Sequence, residues 1–162
     1  MISNKMEKAL NEQLNAELFS SYLYLSMAAH FEANNWRGFA NWMKKQSEEE
    51  YGHAMKFFEF INEVGKKVTL DKIEKPKLEW NSPLEAFEEA LKHEEYITKR
   101  INDLVNLAVE EKDHATNNFL QWFVKEQVEE VSTVQKIVET MKLIGEHTAS
   151  LFMLDHELGK RE

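Results

Sequence analysis

Four stretches of the chain carry apolar residues at alternating steps of three and four, the repeat of a helix that buries one face. The first stripe reads Leu10, Leu14, Glu17, Ser21, Tyr24, Ala28 and Phe31. The second reads Phe39, Met43, Gln46, Glu50, His53, Phe57, Phe60 and Val64. The third reads Leu84, Phe87, Leu91, Glu94, Thr98, Ile101, Val105 and Ala108, and the fourth Leu120, Phe123, Gln127, Glu130, Val134, Ile137, Met141 and Ile144. These stripes predict helices from about Asn4 to Glu32, Trp36 to Val64, Ser82 to Lys112, and Asp113 or Ala115 to Gly145, with a short fifth helix from His147 to Leu158. Helix punctuation supports the boundaries. Asn34-Asn35 stops the first helix, and Gly65 is placed as the glycine just past the second. Ser82-Pro83-Leu84-Glu85 reads as a capping box with proline at the first helical position. No segment alternates polar and apolar residues long enough for a strand.

Loop lengths turn these helices into a topology. Tight turns join helices one to two and three to four, so each pair is expected to form an antiparallel hairpin. Between the hairpins lies a long stretch, residues 66–81, containing Pro76. A helix of about 29 residues is about 43 Å long, and about 16 extended residues reach about 50 Å. The stretch can therefore run the length of the bundle and start helix three parallel to helix two. The expected fold is all-α: one domain over residues 1–162, a four-helix bundle with a single long crossover.

Composition narrows the class. A chain of 162 residues suits one domain. It has no cysteine, which excludes disulfides, thiolate metal sites and cysteine nucleophiles. Asp and Glu outnumber Lys and Arg by 29 to 20, a formal charge of −9 that argues against nucleic acid as a partner. No run approaches the roughly 18 apolar residues of a membrane span. The amino terminus opens on a charged amphipathic segment rather than a leader, so a cytoplasmic protein is expected.

The middle of every stripe is polar: Glu17, Glu50, His53, Glu94, Gln127 and Glu130 stand where a bundle core should be apolar. A buried isolated carboxylate costs several kcal/mol even after relaxation. No Lys or Arg shares that level of the stripes, so divalent metal is the expected compensation. An internal repeat strengthens the reading. Glu17 and Glu94, Glu50 and Gln127, His53 and Glu130, and Glu49 and Glu126 are each 77 positions apart. Each hairpin thus supplies a similar set, and a pseudo-two-fold axis brings the sets face to face. A Glu from each of two helices with Glu-x-x-His from each of the other two is the pattern of di-iron carboxylate bundles. Residues i and i+3 share a helix face, so Glu50 and His53 can hold one ion, and Glu50 can bridge two. Carboxylates with one imidazole suit iron or manganese.

At these residues the chain resembles the bacterial non-haem ferritins over essentially its whole length. The motifs are Asn11-Glu12-Gln13-Leu14-Asn15-Ala16-Glu17 with Tyr22 and Tyr24, Glu48-Glu49-Glu50-Tyr51-Gly52-His53, His93-Glu94, and the run from Asn118 to Phe123 followed by Glu126 to Glu130. The resemblance implies that Glu17, Glu50 and His53 hold one iron and that Glu50, Glu94 and Glu130 hold a second, with Gln127 beside it. It implies a third iron site at Glu49, Glu126, Glu129 and Glu130, a tyrosine next to the centre in Tyr24, and an electron-donating aromatic in Trp122. It further implies oxidation of Fe(II) by dioxygen or peroxide and a shell of 24 subunits storing ferric mineral. Two departures matter. Gln127 and Glu130 replace a second Glu-x-x-His, which separates the chain from bacterioferritins, and Gly52 stands where bacterioferritin has its haem-ligating methionine, so no haem is expected. The acidic pair of the animal heavy-chain pore falls on Asn117 and Leu120.

Other residues have plainer readings. His30, His93, His114, His147 and His156 are taken as surface or supporting residues, and Glu48 as solvated. Trp36, Trp42, Phe58 and Trp122 lie off the seam and are expected to pack against other subunits. Two other functions compete. A fixed-metal oxidase that stores nothing is disfavoured by the broken second motif. A DNA-protecting mini-ferritin is disfavoured by short, mixed-charge ends and by Glu50 and His53 lying in one chain.

Overall fold

A computed structural model describes residues 2–162. Five helices follow one another: α1 (Asn4–Ala33), α2 (Arg37–Glu63), α3 (Pro83–Glu110), α4 (His114–Ile144) and α5 (Thr148–Leu158), with no strand among the described residues. Helix α1 packs chiefly on α2, and α3 on α4. Capping explains the breaks. Ser3, Ser82 and Asp113 accept from the backbone N–H of Met6, Glu85 and Thr116 at their helix starts. Helices α1, α2 and α3 end alike: Trp36 N–H donates to Phe31 O, Lys66 N–H to Ile61 O and Asp113 N–H to Ala108 O. This is the Schellman closure, which needs a left-handed residue just past the helix. Asn35 (φ 64°), Gly65 (φ 73°) and Lys112 (φ 56°) supply it. At α3 the capping box is displaced by one residue: Glu85 Oε2 accepts from Asn81 N–H rather than from the cap residue itself.

The crossover runs along α1. Asn11 Nδ2 donates to Lys67 O at 3.0 Å, Ser26 Oγ to Lys77 O at 2.6 Å, and Trp80 packs edge-on to His30. The connection thus climbs from the first turns of α1 to its last, and α3 starts beside the beginning of α2. Ser3 Oγ bonds Glu111 Oε1 at 2.7 Å, placing the end of α3 back at the start of α1. Helices α2 and α3 are therefore parallel, as the loop lengths require.

The core is split. One cluster at the α1–α2 turn includes Met27, Phe31, Phe39, Met43, Phe87, Val134 and Met141. The other, at the α3–α4 turn, includes Met6, Leu10, Phe57, Ile101, Leu120 and Phe123. The polar layer lies between them. Helix α5 docks on the start of α2 through a close backbone approach: a Cβ on Gly38 would stand 1.7 Å from Asp155 O, and Phe39 N–H donates to Asp155 Oδ1 at 2.8 Å. Trp42 corrects an expectation. It is 4% exposed within the chain, packed on Phe87 and under Arg161, not held out for another subunit. Trp36 is half-buried against Phe152, while Phe58 and Trp122 are exposed. No helix is long and apolar enough to cross a membrane among the described residues.

Candidate metal centre

The four stripes deliver their polar residues to one level. Glu17 of α1, Gln46, Glu50 and His53 of α2, Glu94 of α3, and Gln127 and Glu130 of α4 are all buried. Ligand atoms of Glu17, Glu50 and His53 lie within 4.8 Å of one another, and so do those of Glu50, Glu94 and Glu130. Glu50 belongs to both groups, as a bridging carboxylate must. His53 Nδ1 lies 3.2 Å from Glu50 Oε2 and 4.0 Å from Glu17 Oε2.

Glu17, Glu50 and Glu130 each have one oxygen held by a neighbouring side-chain amide, and Glu94 has both oxygens held. Gln13 Nε2 donates to Glu17 Oε1 at 3.0 Å, and Arg100 Nε fixes that amide by donating to Gln13 Oε1 at 2.8 Å. Gln46 Nε2 donates to both Glu50 Oε1 (2.9 Å) and Glu130 Oε2 (2.8 Å). Gln127 Nε2 donates to Glu94 Oε2 at 3.1 Å, and Tyr24 Oη to Glu94 Oε1. Glu17 Oε2 accepts no hydrogen bond although it is buried. A buried acceptor left unpaired costs about 1–3 kcal/mol or more when charged.

Electrostatics leads the same way. Burial, and then the neighbouring carboxylates, push Glu17 and Glu50 well above the usual glutamate range. Burial raises Glu94 against the bonds from Tyr24 and Gln127. Burial and Glu94 push Glu130 up to about 8. Burial and then Glu94 raise the Tyr24 phenol. Four acids in one dry layer are an arrangement built for positive charge, and oxygen donors with one imidazole fit a hard divalent or trivalent ion.

Beside the centre, Glu49, Glu126, Glu129 and Glu130 line a cavity of about 190 Å³. Glu126, Glu130 and His53 also bring ligand atoms within 4.8 Å of one another. Glu49 and Glu129 are exposed, and Glu49 is engaged by Arg161. Trp122 lies edge-on to His53, with ring centroids 5.4 Å apart and Lys56 over its face. His93 is half-buried rather than on the surface. It shares a hydrogen bond with Ser20 at 2.7 Å and packs on Tyr24, and burial pulls its imidazole down to about 4. Leu120 is wholly buried and presents nothing to a pore.

Sequence reasoning assigned no role to the donors Gln13 and Gln46. Gln46 stands on the seam one turn before Glu50, and Gln13 one turn before Glu17; that spacing was the available signal. Arg100 and Arg161 gave none, since both act across long sequence distances.

Comparisons with known proteins agree with this geometry. A family model named Ferritin, described as a ferritin-like domain, matches residues 7–144. The chain is 47% identical to a bacterial non-heme ferritin of Bacteroides fragilis, over 99% of this chain and 100% of that protein. It is 40% identical to a bacterial non-heme ferritin of Staphylococcus epidermidis, over 99% and 97%. Among solved structures, an open pore ferritin from the hyperthermophilic archaeon Archaeoglobus fulgidus superposes with a TM-score of 0.99 at 53% identity, covering all of both chains. A buried centre built from one carboxylate-bearing stripe per helix, and this likeness along the full length, make the chain a member of the ferritin family.

Proposed function

We propose that the protein stores iron and oxidises it on the way in, with Fe(II) as substrate and dioxygen or peroxide as oxidant. The observation that carries this reading is the buried layer of four carboxylates and His53, with an unpartnered Glu17 oxygen facing into it. Glu17, Glu50 and His53 take one ferrous ion, and Glu50, Glu94 and Glu130 a second, with Gln127 holding Glu94 in place. Negative ligands favour the more highly charged ion and so lower the Fe(III)/Fe(II) potential. Two ferrous ions give up one electron each, and dioxygen leaves the pair having taken both, with two protons. The chain's own part is to bind and orient. Gln13, Gln127 and Tyr24 each hold one carboxylate oxygen and Gln46 holds two, so the ligands are preorganised before iron arrives.

Glu49, Glu126, Glu129 and Glu130 hold iron in transit beside the centre. Twenty-four copies enclose the mineral, and the protein works in the cytoplasm without haem, membrane or nucleic acid. The broken second Glu-x-x-His supports turnover of iron over permanent retention, because the second position lacks an imidazole. Anaerobic Fe(II) loading followed by air, with size-exclusion chromatography and iron counting, tests the reading. Ferric iron accumulating far beyond two ions per chain on a large assembly is expected. Uptake that stops at two per chain on a dimer makes the protein a fixed-metal oxidase instead.

A further inference from the structure

The cavity beside the centre contains a cation of the protein's own. Among its lining residues the acids are Glu49, Glu126, Glu129 and Glu130, and the one basic residue is Arg161. Its Nη2 lies 3.0 Å from Glu49 Oε1. Its Nη1 donates to Trp42 O at 3.2 Å, and the guanidinium stacks 4.5 Å over the Trp42 ring. The side chain is only 21% exposed.

Arg161 is brought there by a built connection. Asn41 Nδ2 donates to both Gly159 O (3.2 Å) and Arg161 O (3.0 Å). A Cβ on Gly159 would stand 3.0 Å from the Cα of Gly38, so the backbone past α5 lies directly on the start of α2. A rigid seat, an aromatic platform and a carbonyl acceptor together aim one guanidinium at one carboxylate. Planar, weakly hydrated guanidinium suits such a stacked, hydrogen-bonded position.

We propose that Arg161 is the resident counter-ion of this pocket: it holds Glu49 until a divalent cation entering between Glu49, Glu126 and Glu129 takes that carboxylate from it. The inference rests on the ferroxidase reading above. Guanidinium and metal ion compete for one carboxylate and repel each other across a short distance. Arg161 therefore weakens cation binding in the pocket, which keeps iron passing through it instead of settling there. It is a positioning residue and touches no iron at the main centre.

Calorimetric titration of the assembled protein with Zn(II), a redox-inert probe, tests this. Two tight ions per chain report the main centre, and a weaker third reports the pocket. Arg161→Gln is expected to tighten the third ion about fivefold, the size of a partly exposed ion pair, and to leave the two tight ions as they were. In a Glu49→Gln background the same substitution should tighten the third ion clearly less, because only the direct repulsion is then relieved, an outcome that a merely structural role for Arg161 does not produce. A crystal of the unsubstituted, zinc-loaded protein gives a second readout that needs no variant: Arg161 should be swung off Glu49. A third ion bound equally or less tightly in Arg161→Gln, no third ion in either protein, or zinc in the pocket with the Arg161–Glu49 pair intact overturns the proposal. Absence of the two tight ions from the parent protein instead overturns the ferroxidase reading and this inference with it.

Discussion

The Tyr24 hydroxyl donates to Glu94 Oε1 across 2.5 Å, joining α1 to α3 through the middle of the bundle. Its other face meets His93 edge-on at 6.0 Å. Tyr24 is therefore packed, bonded and wholly buried, with one task at the centre: to hold one oxygen of Glu94. Tyr24→Phe keeps the packing and removes that bond. It should lower the metal-free protein's stability by about 1–2 kcal/mol, leave the number of Zn(II) ions bound unchanged and slow Fe(II) oxidation. Thermal melting, zinc titration and stopped-flow absorbance separate the three effects.

Glu50 sets stability against function. It is buried, repelled by Glu94 and Glu130, and shared by both ligand groups. Glu50→Gln keeps the shape and an acceptor for Gln46 while removing a charge from a crowded layer. The metal-free variant should melt higher than the parent. Its Fe(II) oxidation should fall at least about tenfold, as for loss of ligand support generally. A variant that melts lower and oxidises normally contradicts the assignment of Glu50 as a shared ligand.

The pH dependence has a definite sign. Glu130 keeps its proton to about pH 8 in the folded chain, whereas the unfolded chain releases it near the usual value of 4.5. Between those limits the folded state binds more protons, so stability falls as pH rises, by at most about 1.4 kcal/mol per pH unit for this group. His93, held near 4 against a usual 6.5, acts oppositely: its contribution is lost as pH falls through that window. Glu17, Glu50 and Glu94 are raised like Glu130, so the carboxylates outweigh His93, and the metal-free protein should lose stability from about pH 5 towards about pH 8; its melting curves across pH 5 to 8.5 check this. Zinc loading at pH 7 must expel the Glu130 proton, and a pH-stat should record the release fading above pH 8.

Gly38 is the contact on which α5 rests. Gly38→Ala places a methyl group 1.7 Å from Asp155 O, which cannot be accommodated without moving the backbone. The variant should keep α1 to α4 and release α5 together with the Arg161–Glu49 pair. Hydrogen exchange should quicken over Thr148–Leu158 while the two core clusters stay protected.

Most of the fold was legible because its signals are local. The three-and-four stripes, Asn35, Gly65 and the Ser82-Pro83 start place four long helices to within a few residues. The crossover followed from length alone, since 66–81 has nowhere else to go. The polar layer was legible because six residues interrupt four apolar stripes at one level, and the 77-residue repeat ties them together. What stayed hidden acts across distance. Gln13 has meaning only with Arg100, and Arg161 reaches Glu49 only because two glycines let α5 lie on α2. Trp42 sits off the seam, yet it is buried against Phe87 of α3 and under Arg161 of the segment after α5, a placement that its own helix does not announce.

The divided core has a mechanical meaning. Apolar burial joins the helices at both ends of the bundle, but across the middle the contact is made by a few hydrogen bonds among crowded carboxylates. Without cations the two ends are coupled mainly through helix backbones, and each end can loosen on its own. Ions held at the waist would replace that crowding with shared ligands from all four helices. Filling the centre with iron should therefore make the subunit melt as one cooperative unit, more sharply and at a higher temperature.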